Sequence, residues 1–132
     1  MSKSWRSLRV TDAFRAFVLD QLAELGDVTP RSMFGGVGLY CRGVFFAILA
    51  HDRLYFKTDD RSRRDYTRAR MPAFRPYRGR SARNSSTSKS SASKSPASKS
   101  YFAVPLSVLE DPNELTVWAR KAVAAGSRAR RA

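Results

Sequence analysis

Acidic residues are scarce in this chain: 11 Asp and Glu stand against 25 Lys and Arg, a formal charge of +14 over 132 residues. Cysteine and histidine are scarcer still, with one of each, Cys41 and His51. A lone cysteine excludes an internal disulfide, a CxxC redox pair and a thiolate zinc site, and it fits a reducing compartment. Beside Arg42 it reads as a structural, half-buried thiol rather than an activated one. The lone histidine sits in a tight turn next to Asp52 and reads as an exposed turn residue. No run of about 18 apolar residues is present, so no membrane span is expected. The first ten residues lack an apolar stretch of signal-peptide length, which makes cytoplasm the expected location. Gly35-Gly36-Val37-Gly38 resembles a phosphate loop, but no GK[ST] follows it and a strand replaces the helix. Asp59, Asp60 and Asp65 are explained by a helix cap and surface charge, not a metal. The sequence therefore predicts no enzyme, and no catalytic, cofactor-binding or metal-ligating residue.

What is present is a scaffold. From Arg31 to Asp60, glycines punctuate an apolar, aromatic run that gives way to alternating apolar and polar positions, the pattern of a three-strand meander. A first strand over 28–34 tolerates Pro30 only near its start or on an edge, and Gly35-Gly36 ends it. Residues 38–41 and 44–50 form a hairpin about Arg42-Gly43. His51-Asp52 turns the chain into 53–58, where Leu54 and Phe56 face one way and Arg53, Tyr55 and Lys57 the other. Before the meander, Thr11 or Asp12 caps a helix to about Leu25, with Phe14, Phe17, Val18, Leu22 and Leu25 as its apolar stripe and Gly26 as its stop. After it come a short polar helix from Asp59 or Asp60 to Ala69, extended segments at 73–77 and 101–104, and one helical turn at 106–109. A final helix is capped by Asp111, has Pro112 first, and buries Leu115, Trp118, Ala119 and Ala122 before stopping at Gly126. The fold class is α+β: an antiparallel sheet built on the meander, flanked by N-terminal and C-terminal helices.

Charge is unevenly distributed. Residues 78–100 hold six basic side chains and no acid, and 127–132 add three arginines, so nine of the fourteen excess positive charges lie in these two segments. The first repeats Ser-Lys-Ser at 88–90, 93–95 and 98–100 and offers nothing to bury, the composition of a disordered loop extruded from a single 1–132 domain. The second reads as a basic tail. A further cluster, Arg61, Arg63, Arg64, Arg68, Arg70, Arg75, Arg78 and Arg80, is interleaved with Tyr66, Phe74 and Tyr77, and arginine planes beside aromatic faces suit phosphate contact and base stacking. The candidate nucleic-acid contacts are Arg61, Arg63, Arg64, Arg68, Arg78 and Arg80 with Lys89, Lys94 and Lys99 of the loop. The serines there can accept phosphate, which would reverse the local sign.

Arg31, Met33-Phe34-Gly35-Gly36, Gly38-Leu39-Tyr40, Phe46-Ala47 and Leu54-Tyr55-Phe56-Lys57 with Asp59 resemble the N-terminal domain of the TfoX/Sxy family of bacterial competence regulators. The resemblance continues through Phe74, Tyr101-Phe102, Val104-Pro105, Leu109-Glu110-Asp111-Pro112, Leu115 and Trp118-Ala119-Arg120-Lys121-Ala122. It implies a small, non-enzymatic α+β domain associated with regulation of DNA transformation genes, with a transcription factor of the cyclic-AMP receptor type as an expected partner. Met33, Phe34, Gly35, Gly36 and Gly38 are assigned to structure. The Ser/Lys segment departs from the shorter connection usual in the family, and a chain of this length is not expected to hold the family's second, C-terminal domain. The alternative expectation is a pure protein–protein interaction module unrelated to competence.

Overall fold

The computed structural model describes residues 8–75 and 98–131. Helix α1 (Asp12–Gln21) begins where its cap predicts: the Thr11 hydroxyl accepts the Phe14 amide at 3.1 Å. That cap is itself held, because Asp52 accepts from the Thr11 amide at 2.8 Å and the Thr11 hydroxyl at 3.1 Å. The helix ends about one turn before Leu25, and hydrogen-bonded turns carry the chain to Gly26 at φ +76. Val18 and Leu22 of its stripe are buried, while Phe17 is left partly in solvent.

Strands β1 (Val28–Met33), β2 (Gly36–Cys41), β3 (Val44–Ala50) and β4 (Arg53–Lys57) form an antiparallel meander. The first strand expected over 28–34 joins the three-strand meander, because β1 pairs in full with β2. Each of its turns places two successive residues at positive φ: Phe34-Gly35 at 46 and 87, Arg42-Gly43 at 49 and 83, His51-Asp52 at 51 and 56. Such turns match the right-handed twist of the strands they join. Pro30 lies on β1, the edge strand, where proline is tolerated. Two later strands, β5 (Ala73–Phe74) and β6 (Ser98–Ala103), complete a six-stranded sheet of order β1-β2-β3-β4-β6-β5.

One face of the sheet is covered by α1, α2 (Arg63–Arg68), α3 (Leu106–Leu109) and α4 (Pro112–Arg131). Phe46, Phe56, Leu39, Leu49 and Leu115 are fully buried there, each contributing about 1.5–3 kcal/mol relative to exposure. Tyr66 of α2 meets Trp118 edge-on at 4.8 Å and Phe102 at 5.9 Å, tying both helices to β6. On the opposite face a smaller cluster joins Leu8, Ile48, Ala50, Tyr55, Phe74 and Ala103. Leu8 is held over it by its amide donating to the Phe34 carbonyl and its carbonyl accepting from the His51 amide. The rest of this outer face, toward Tyr40 and Lys57, is bordered by the C-terminal turns of α4.

Two boundaries differ from expectation. Strand β6 starts at Ser98, so the last three residues assigned to the loop belong to the sheet, and Ser100 accepts from the Thr58 amide at 2.6 Å. Helix α4, capped as expected by Asp111 on the Asn113 and Glu114 amides, continues through Gly126 to Arg131. Gly126 is no terminator: a Cβ there would lie 2.6 Å from the Phe45 carbonyl oxygen and 3.0 Å from Val44 Cγ1. It is the point where the helix backbone approaches β3. The basic segment after it is helical through Arg131, not an unstructured tail.

Candidate nucleic-acid interface

The arginine cluster is built on a local cap. The Asp59 carboxylate accepts the Ser62 amide at 2.8 Å and the Ser62 hydroxyl accepts the Asp59 amide at 3.0 Å, which opens the turn leading into α2. Arg128 of α4 also donates to Asp59. The Ser62 amide bond, more than the Arg128 pair, pulls the Asp59 carboxyl down to about 2. Arg63 pairs with Asp60 at 3.2 Å and keeps a buried Nε with no hydrogen-bond partner. Lys121 pairs with Asp65 at 3.4 Å. Arg61, Arg64 and Arg68 are exposed and pair with no carboxylate among the described residues.

Two of the aromatics expected to interleave with these arginines, Tyr66 and Phe74, do not. Tyr66 is buried in the main core, where desolvation raises its hydroxyl well above the usual range, and Phe74 is buried against Tyr55. Tyr77, Arg78, Arg80, Lys89 and Lys94 lie outside the described residues, as does the side chain of Lys99, whose backbone is in β6. Cys41 is buried, donates its Sγ–H to the Gly26 carbonyl at 3.6 Å, and is pushed up by desolvation, so its thiol is not activated.

The glycine motif divides by role. Met33 and Gly36 face each other across the β1–β2 turn. A Cβ on Gly36 would lie 2.6 Å from the Leu49 carbonyl oxygen and 2.9 Å from Leu8 Cβ, so this position admits no side chain. Gly38 leaves room for the Met33 sulfur and the Phe45 ring. Phe34 and Gly35 make the turn itself, and the Phe34 ring is 81% exposed.

A second arrangement, absent from the sequence-based candidates, lies on the outer face. Between Leu39 and Tyr40 the register of β2 with β3 shifts, so Leu39 opposes Ala47 but Tyr40 opposes Phe45, and Phe46 is the extra residue. This bulge sends Phe46 into the main core and turns Phe45 outward, opposite Tyr40. The two rings stack at 5.0 Å, and Phe45 in turn meets Tyr101 of β6 at 5.7 Å. Cations cover both ends: the Arg31 guanidinium sits 5.3 Å above the Tyr40 ring and the Lys57 ammonium 5.2 Å above that of Tyr101. These rings and Lys57 line a cavity of about 400 Å³, with Gly126 and Ala129 of α4 at its border. Burial, first of all, and the neighbouring Tyr40 hydroxyl push the Tyr101 hydroxyl up to about 12, and it stays neutral. Lys57 is held below its usual range, first by desolvation and then by Arg63. Neither Arg31 nor Lys57 has a carboxylate partner among the described residues.

Fold and surfaces define a small α+β domain that presents cations and aromatic rings. Residues 20–126 match the TfoX N-terminal domain, and the chain belongs to that family, which is of a non-catalytic, regulatory type. A search of curated proteins finds no match. Among the described residues no helix is long and apolar enough to cross a membrane.

Proposed function

We infer that this chain is a non-enzymatic regulatory or adaptor domain of the competence-regulator type, acting in the cytoplasm in association with transcription and contacting nucleic acid through charge rather than sequence. The observation that carries this reading is how its charges are used. Asp59, Asp60 and Asp65 are engaged by Arg128, Arg63 and Lys121 respectively, which leaves Arg61, Arg64 and Arg68 presented together around α2. Guanidinium groups so placed meet phosphate oxygens, and such contacts position a protein on nucleic acid without reading bases.

The test is fluorescence anisotropy of a random DNA duplex with the full chain over a salt series. Replacing Arg61, Arg64 and Arg68 together by Gln lowers the log–log salt slope by roughly three if each meets one phosphate. Deleting 81–97, a stretch chosen to spare β6, removes Arg83, Lys89 and Lys94 and reports the share of the inserted segment. Absence of binding at moderate salt sinks the reading and leaves the pure interaction module.

A protein contact is supported separately by Phe34, an aromatic ring held out at the tip of the β1–β2 hairpin. The proposed partner is a transcription factor of the cyclic-AMP receptor type. Capture of that factor by the wild-type chain and not by Phe34→Asn supports the contact, and equal capture by both rejects it.

A further inference from the structure

We propose that the outer face of the sheet around Tyr40, Phe45 and Tyr101 binds a single strand of nucleic acid, with bases stacked on the ring row and a phosphate at Lys57. The proposal rests on the nucleic-acid reading above and deepens it by naming the form of the strand and the residues that hold it.

Three observations converge. The first is the row itself: across β1, β2, β3, β4 and β6 the outer face carries Arg31, Tyr40, Phe45, Lys57 and Tyr101, each at an outward position of its strand. The side chains converge above the sheet, with ring centroids 5.0 Å apart from Tyr40 to Phe45 and 5.7 Å from Phe45 to Tyr101, a continuous aromatic surface with room for a few bases. The three rings are only half buried, so each keeps surface open to solvent in a position where globular domains normally place polar residues. The second is the state of Lys57. It is a desolvated ammonium beside another cation, Arg63, and the described residues bring no carboxylate to offset it. An anion supplied from outside removes that cost. The third is the cavity between the two, with aromatic walls and a cation at its edge. A ligand that satisfies all three is flat, aromatic and anionic, and it repeats along a line.

The geometry selects a single strand over a duplex. Bases in a duplex already stack on each other, and their faces are closed to protein rings; unpaired bases can splay onto an aromatic sheet face. The exposed arginines around α2 remain suited to the phosphates of either form.

The experiment compares an oligo(dT) strand of about 15 nucleotides with a duplex of equal length, both labelled, titrated with the full chain by anisotropy. The single strand is expected to bind more tightly. Tyr40→Leu and Tyr101→Leu keep apolar bulk but remove the ring, and each weakens the single strand by about tenfold while leaving the duplex unchanged. Lys57→Gln also weakens it and lowers the salt slope by about one. Tyr40→Phe retains wild-type binding, and thermal melting within a few degrees of wild type certifies that each variant is folded. An oligo(rU) arm separates the two sugar backbones: tighter binding of either strand supports the proposal, and the tighter one names the source. Equal affinity for strand and duplex, unmoved by the Leu variants, overturns the proposal and leaves the electrostatic reading intact. Failure to bind either nucleic acid rejects both.

Discussion

Phe34 is where residue-scale physics is most at odds with itself. Its φ of +46 lies in a region that bulky side chains avoid, and its ring is 81% exposed, so the strain brings no burial in return. Strain of that kind costs about 1–3 kcal/mol for a residue other than glycine, and asparagine tolerates the conformation far better. Phe34→Asn is therefore expected to raise stability by about 1 kcal/mol in urea unfolding. A fall in stability would show that the ring packs against the fold in solution. Asp59 is the second informative residue. Its folded-state pKa, about 2, lies below the 3.8 of the unfolded chain. A depressed carboxylate stabilises above the unfolded pKa and loses that contribution as pH falls through the folded value. Asp59→Asn keeps the acceptor for the Ser62 amide but removes the charge. Relative to it, wild type should be more stable at neutral pH by on the order of 1 kcal/mol after solvent screening, with the gap closing from about pH 5 to pH 2. A gap independent of pH would mean that the Asp59 charge plays no part.

At the scale of elements, helix α4 and strand β3 show which features the sequence made legible and which it hid. The Asp111 cap, Pro112 at the first position and the Leu115–Ala119–Ala122 face were readable because each is local chemistry. The same holds for the glycine-marked turns. Gly126 reads as a stop in the sequence because a helix terminator and a close-approach site look identical there; only the Phe45 carbonyl 2.6 Å from the missing Cβ separates them. The outer aromatic row was hidden for a related reason. VFFAILA is a continuous apolar run without alternation, and which phenylalanine faces out depends on the bulge opposite Tyr40. Tyr66 reads as part of a stacking surface because nothing local announces that Trp118 and Phe102 will enclose it. Gly126→Ala tests the approach. Helix propensity alone favours alanine by about 1 kcal/mol, but a backbone carbonyl cannot rotate aside, and overpacking of this kind costs about 1–3 kcal/mol. A net loss of stability is expected, seen as a lower urea midpoint with unchanged slope. A gain would show that α4 can lift from β3 at no cost.

At the scale of the whole molecule, the last helix joins stability to the proposed binding face. Its C-terminal turns supply Arg128 to Asp59, a partner 69 residues away, and place Gly126 and Ala129 at the border of the cavity that holds Lys57. If 127–132 were only a basic appendage, removing it would lower nucleic-acid affinity through charge and leave folding untouched. The structure predicts otherwise for a chain ending at Gly126. Loss of the Arg128 pair should lower stability at neutral pH by about 0.5–1 kcal/mol, the range of an exposed ion pair. That difference should shrink as pH falls through about 2, where Asp59 becomes protonated in the folded chain. Duplex binding should weaken, with a salt slope smaller by up to about three for the three arginines removed. Single-strand binding should weaken further, because the cavity loses Ala129 from its border as well as the charge. Raising the salt separates the two causes: charge loss fades as counterions screen it, whereas loss of the cavity border persists. Equal weakening of strand and duplex at every salt concentration would assign the helix end to electrostatics alone.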